Sequence, residues 1–243
     1  MATPEQRLPV DQHTGQADLV STLVDIGQMA THGASIVNVF SVLAAQCVQL
    51  LPVSAAGILL VDENSALHVI GSSSHAAKLL DLFQVQNDEG PCRDCCKSKQ
   101  MISSEDIASD TRWPNFSPLA TAESFVAVYA LPLEAQGVVV GALNLFSQTP
   151  LTPTQVLIAQ SLADAATLAF LQADMQQDRL LIARKLRTAV EGRNAIEQAK
   201  GVLSERHGIA MMEAFWKLRD ASIEHDMDIV ELAKAVVNRE VEV

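Results

Sequence analysis

Aromatic side chains make up only 4% of the 243 residues, and the chain reads as having no apolar run of about 18 residues. The first scarcity leaves few ring platforms for stacking on single-stranded nucleic acid, which argues against non-specific strand binding. The second predicts no membrane span. The N-terminus, Met1 to Glu5, lacks the basic and apolar regions of a signal peptide, so a cytoplasmic protein without a membrane partner is expected. Four cysteines, Cys47, Cys92, Cys95 and Cys96, are too few and too clustered for a secreted disulfide framework and are expected as reduced thiols. Also missing are a phosphate-cradling glycine loop, a His-x-Glu metal signature and a Ser/His/Asp set, so the expectation is no enzyme.

What is present is an apolar fraction of 49% with 19% charged residues, enough to build a folded core from Ala, Val, Leu and Ile. The length suits two domains. The net charge of −12 is unevenly spread. Residues 1–175 carry 6 Lys and Arg against 17 Asp and Glu, residues 176–219 carry 9 against 5, and residues 220–243 carry 2 against 7. Phosphate contacts are therefore expected from the one positive segment.

Residues 1–16 are polar and read as a mobile tail. Helical periodicity follows over 17–30 and 35–51, carried by Leu19, Leu23 and Ile26, then Ile36, Val39, Phe40, Leu43 and Cys47. β-like runs at 56–61 and 67–70 flank a polar turn, and runs at 125–133 and 138–146 suit a second hairpin. Between them lies a short helix over 75–83 and a long loop-rich stretch of the kind that covers a site. Thr152-Pro153 starts a helix whose apolar residues Leu168, Leu171, Met175, Ile182, Leu186 and Ala189 follow a broken heptad. A connecting helix over 153–191 is expected, either paired with a second copy or packed on its own sheet. Three helices complete the chain: 193–206, ended by His207-Gly208; one with Met211, Phe215, Leu218 and Ser222; and one from Asp228, with Glu231 as its capping-box partner. Phe215 aligns with Met211 and Leu218 and reads as core, while the side of Trp216 is open.

The stretch Arg193-Asn194-Ala195-Ile196-Glu197-Gln198-Ala199-Lys200-Gly201-Val202-Leu203, with His207-Gly208, Glu213-Ala214-Phe215 and Leu218-Arg219, resembles an ANTAR domain over roughly 180–238. That resemblance implies a transcription antiterminator that binds paired hairpins in nascent RNA as a homodimer. Under it, Arg193, Asn194, Gln198, Lys200 and Gly201 are the RNA-binding candidates. Cations hold phosphates, amides read base edges, and Gly201 permits close approach despite a helix cost of up to ~1 kcal/mol. Two positions depart from the pattern. Ala210 stands where a capping Ser or Asp is usual, and Asp226-Met227-Asp228 stands where Asn or a basic residue is common.

The N-terminal region resembles a GAF domain. The similarity rests on Asp88-Glu89-Gly90-Pro91-Cys92, the segment from Asp106 to Arg112-Trp113-Pro114, and Leu131-Pro132-Leu133 with Gly141-Ala142-Leu143-Asn144-Leu145. It implies a sensory input whose small ligand or redox signal the residues do not name, and no cofactor is assigned. The fold expected is α+β: a GAF-like antiparallel sheet with flanking helices over 17–172, a long linker helix, and an ANTAR-like three-helix bundle over 180–243. Cys92, Cys95 and Cys96 are candidate redox residues, or small apolar residues under a loop. Arg93, Lys97 and Lys99 favour a thiolate there, and Asp94 and Glu89 oppose it. Zinc is disfavoured because no second ligand pair accompanies them. A thiol-based redox sensor, a thiol-dependent reductase on the GAF fold, and a DNA-binding transcription factor are the alternatives. The last lacks a recognition helix with a dense basic face.

Overall fold

The computed structural model describes residues 12–32, 36–62, 65–135, 137–172 and 175–243. Helices α1 (Gln12–Thr31) and α2 (Ile36–Leu50) lead into the hairpin β1 (Ala55–Val61) and β2 (Leu67–Ser72). Then come α3 (His75–Asn87), α4 (Pro91–Ser98), β3 (Ile102–Ser104), a 3-10 turn at Ile107–Ser109 and α5 (Phe116–Ala122). The hairpin β4 (Ala127–Ala135) and β5 (Val138–Ser147) precedes α6 (Pro153–Gln172), α7 (Met175–His207), α8 (Met211–Glu224) and α9 (Ile229–Val237). The architecture is α+β, as expected.

The five strands form one antiparallel sheet in the order β2-β1-β5-β4-β3. Both hairpins read from the alternation are present, and Leu131 stands opposite Leu143 in the second. Alternation sorts the strand residues between two layers. Ile58, Leu60, Tyr129, Leu131, Leu143 and Leu145 meet α1, α2 and α6 on one face. Leu59, Val128, Ala130, Ala142 and Phe146 meet the other layer, formed by α3, α4 and α5.

Three boundaries differ from expectation. α1 begins at Gln12 and takes in the end of the expected tail, of which residues 1–11 lie outside the described residues. The stretch expected as loop contains α4, β3 and α5, elements too short to show a period. Within the expected connecting helix the described residues form α6 and α7, and residues 173 and 174 between them lie outside the described residues. α6 starts on a reciprocal cap, the Thr152 amide donating to Gln155 Oε1 at 2.8 Å and the Gln155 amide to Thr152 Oγ1 at 3.4 Å. Finally, the first helix of the C-terminal trio continues the connector as the single element α7, which does end before Gly208, at φ 65°.

By length and composition α6 passes as a membrane span over Pro153–Leu171, contrary to the expectation of no such stretch. Its Ala159, Leu162, Ala163 and Ala166 are buried in the core beneath the sheet. Of the expected heptad seam, Leu168 and Leu171 are exposed, while the side chains of Met175, Ile182, Leu186 and Ala189 lie outside the described residues.

Candidate nucleic-acid interface

The C-terminal helices build a small core from Ile196, Ala199 and Leu203 of α7, Phe215 and Leu218 of α8, and Leu232, Ala233 and Val236 of α9. Spacings of three and four residues put each trio on one helix side. Asp228 caps α9, accepting from the Val230 amide at 2.9 Å, whereas Glu231 turns to Lys234 at 3.2 Å instead of closing the capping box. α8 starts at Ala210 without a side-chain cap.

The five candidate RNA-binding residues fall into two groups. Asn194, Gln198 and Gly201 are exposed and recur along one stripe of α7. Gln198 and Gly201 open into a surface cavity of about 880 Å³ together with Arg206 and Arg239. A Cβ added to Gly201 would meet nothing within 4 Å, so no neighbouring helix requires the glycine. Arg193 and Lys200 point elsewhere. Lys200 is 5% exposed and bonds Glu197 Oε1 at 2.9 Å, whereas its spacing of seven from Arg193 leads to the expectation that both cations share the face opposite Ile196, Ala199 and Leu203. The reason is helical geometry: residue 200 lies four after Ile196 and three before Leu203, so it borders the buried side. Arg193 is partly buried and lines a cleft with Leu67, Val85, Asp88 and Arg93 of the N-terminal module.

The two modules share one apolar cluster. Phe215 of α8 meets Phe83 of α3 edge-on, with centroids 5.6 Å apart. Around this contact the polar groups pair across the boundary. Arg219 donates to Glu123, with Nε at 3.2 Å from Oε1, and its guanidinium stands 5.5 Å from the Trp216 ring centroid. Lys78 pairs with Asp228, and the Ser222 hydroxyl lies 3.2 Å from His75 Nε2. Burial acts to raise the Asp228 carboxyl, but the Lys78 ammonium and the α9 amides outweigh it and hold the carboxyl below its ordinary range. Beside this pair a cavity of about 400 Å³ opens between β2 and α3 on one side and α7 and α9 on the other.

In the N-terminal module the quoted motif residues fasten one loop layer to another. Glu89 accepts from the amides of Asn115 at 2.7 Å and Phe116 at 2.9 Å, tying the start of α5 to the start of α4. Gly90 takes φ 139°, and a Cβ there would strike the Gln84 side chain at 2.5 Å. The Trp113 indole donates to Asp94 at 2.8 Å. Arg112 grips Asp110 and, as the leading cause, draws its carboxyl down to about 2.

Sequence reasoning missed a buried polar centre. Asp81 of α3 is fully enclosed, its Oδ1 accepting from Asn144 of β5 at 2.7 Å, with Gln84 Nε2 at 3.4 Å. Burial pushes its carboxyl up to about 8 against the pull of the Asn144 bond, so at neutral pH it is protonated. The signal was a lone acid within the apolar run Leu79-Leu80-Asp81-Leu82-Phe83. Gln84 also accepts from the Cys92 amide at 2.9 Å, which joins this centre to α4.

The GAF-domain family model matches residues 33–170, and the ANTAR-domain model matches residues 184–237. The chain belongs to the GAF family and carries an ANTAR domain. It thus joins a signal-sensing domain to an RNA-binding antitermination domain in one regulator. Among solved structures it is similar to the GAF domain of a phosphoenolpyruvate-protein phosphotransferase from Coxiella burnetii. That match is 14% identical, covers 66% of this chain and 97% of that one, and has a TM-score of 0.54. Free methionine-R-sulfoxide reductase from Neisseria meningitidis is similar at 14% identity, covering 70% and 96%, with a TM-score of 0.50. Both likenesses describe the fold. No curated protein sequence matches the chain.

Proposed function

We propose that this GAF–ANTAR protein is a cytoplasmic, signal-responsive antiterminator that binds paired RNA hairpins as a homodimer, and that the docked arrangement is its withheld state. The observation that carries this reading is the placement of the ANTAR cations: Arg193 lies in a cleft against the sensor, Lys200 is buried on Glu197, and Arg219 is paired with Glu123 of the sensor. Asn194, Gln198 and Gly201 stay outward beside the exposed Arg206 and Arg239, so an amide face is available while Arg193, Lys200 and Arg219 are held elsewhere. Docking and RNA binding then compete for Arg193 and Arg219, and an input that favours undocking favours RNA.

Two features suit the remaining parts of the proposal. Among the described residues Asp81 Oδ2 and Asn144 Oδ1 are buried without a hydrogen-bond partner, which fits a polar centre for a small sensory ligand. Val20 and Val24 of α1 and Leu157 and Leu168 of α6 are exposed on paired helices, which fits self-association.

The test is titration of the full-length protein with an RNA carrying two short hairpins, at two ionic strengths, beside a single-hairpin RNA. Binding that needs both hairpins, falls with salt and weakens in Asn194→Ala and Gln198→Ala is the expected result. Equal affinity for one hairpin and two would remove the dimeric reading. Arg219→Ala binding no RNA even when Glu123→Ala binds it tightly would place Arg219 in the RNA contact itself.

A further inference from the structure

α4 carries three of the four cysteines, and the fold gives them different surroundings. Cys92 and Cys95 are sealed against the sheet with Leu59, Ala130 and Ala142. Cys96, one turn after Cys92, is partly exposed and lines a cavity of about 380 Å³ between α4 and the ends of β2 and β5. Arg93, Lys97 and Lys99 line the same cavity, and among the described residues no carboxylate does. Asp88, outside the cavity lining, ion-pairs with Arg93 and stands 3.9 Å from Lys97, offsetting part of that charge.

The thiols also differ in acidity. Hydrogen bonding from Cys92, and then the Arg93 charge, hold Cys96 below the ordinary thiol range against its burial. Burial pushes Cys95 up to about 12 and Cys92 well above its ordinary range. The one thiol with access to solvent is thus the one held below the ordinary thiol range, at the wall of a cationic cavity.

We propose that Cys96 is an exchange site for small anionic disulfides, with Cys92 as the thiol that resolves the adduct. In the first step the Cys96 thiolate attacks one sulfur of the disulfide. A protein–reagent S–S bond forms, the reagent S–S bond breaks, and one reagent thiolate leaves. In the second, the Cys92 sulfur attacks Cys96, its proton leaves with the second reagent thiol, and a Cys92–Cys96 disulfide closes. Two protein thiols lose two electrons, and one reagent disulfide becomes two thiols.

Helix geometry orders these steps. Residues four apart hold their Cβ atoms roughly 5–6 Å apart, whereas a disulfide needs about 3.5–4.5 Å. The last turn of α4 must open before the second step, so the mixed disulfide accumulates first. That opening strains the hydrogen bond from the Cys92 amide to Gln84 Oε1, and Phe83, next to Gln84, packs on Phe215 of the ANTAR domain. The exchange chemistry itself does not depend on the RNA-binding reading.

The experiment treats reduced full-length protein with dithiodipropionate, hydroxyethyl disulfide and cystamine, which are anionic, neutral and cationic, at low and raised ionic strength. Mass mapping after trypsin cleavage at Arg93 places Cys92 on a different peptide from Cys95 and Cys96. At low salt, dithiodipropionate is expected to modify Cys96 about tenfold faster than cystamine, with the gap closing as salt screens the cavity. Cys92→Ser should trap the adduct, Cys95→Ser should leave adduct and cross-link intact, and Cys96→Ser should abolish both. Cystamine reacting as fast as dithiodipropionate at low salt would overturn the proposal. So would a Cys96 no more reactive than the buried Cys47, or a cross-link that persists in Cys96→Ser.

Discussion

The sensor settles many of its polar groups internally, while the ANTAR domain places several of its own against its neighbour. In the sensor, Glu89 ties α4 to α5, Asp94 holds Trp113, and Asp81 is bonded by Asn144, all within one module. In the ANTAR domain, Arg219 and Asp228 find partners on the sensor, and Phe215 completes a cluster that includes Phe83. The difference follows from size. A three-helix trio has little interior, and a larger fraction of its side chains stays at the boundary than in a domain with a sheet covered on both faces. The sensor surface therefore contributes to how the output helices are held.

The most forceful way to break this asymmetry is Phe215→Ala. Loss of a fully buried ring is expected to cost about 3–5 kcal/mol in urea unfolding, with hydrogen exchange rising first in α8 and α9. If exchange rose equally in β1 and β5, the two modules would be one cooperative unit. Next in size is the boundary ion pair. Arg219→Ala leaves the mostly buried Glu123 carboxylate without its cation and is expected to cost about 1–3 kcal/mol, whereas the double variant with Glu123→Ala recovers part of that loss in a double-mutant cycle.

A third comparison uses pH. Asp81 keeps its proton up to about 8 in the fold, whereas an unfolded carboxyl loses it near the ordinary value of 3.8. Between those values the native state binds the extra proton, so its contribution to stability declines as pH rises and levels off above about 8. The slope approaches about 1.4 kcal/mol per pH unit at most. Asp81→Asn should flatten that part of the profile in denaturant titrations from about pH 4 to about pH 9, a range that takes in both values. An unchanged slope would mean that Asp81 is ionised in the fold. The smallest effect is expected on the open α7 face, where Gln198→Ala should change stability by less than about 0.5 kcal/mol, leaving any loss of RNA affinity attributable to the contact.

Much of this organisation was legible in the chain. The alternating runs gave both hairpins, the Thr152-Pro153 start gave α6, and Gly208 marked the end of α7. Phe215 was read as core from its alignment with Met211 and Leu218, and it is buried. Lys200 is buried although its spacing of seven from Arg193 suggests a shared outward face, because its spacing from Ile196 and Leu203 sets it beside the buried stripe. Short elements such as α4 and β3 left no readable period.

The sequence by itself determined the two modules, their long helices and paired strands, and the side most of these turn inward, because those depend on local periodicity and on capping and turn chemistry. Only the tertiary structure decided which charges are spent on the neighbouring module, which thiol reaches solvent, and that Asp81 is enclosed with Asn144. These depend on distances between residues far apart in the chain, such as Arg219 and Glu123 or Asp81 and Asn144, which no local pattern encodes.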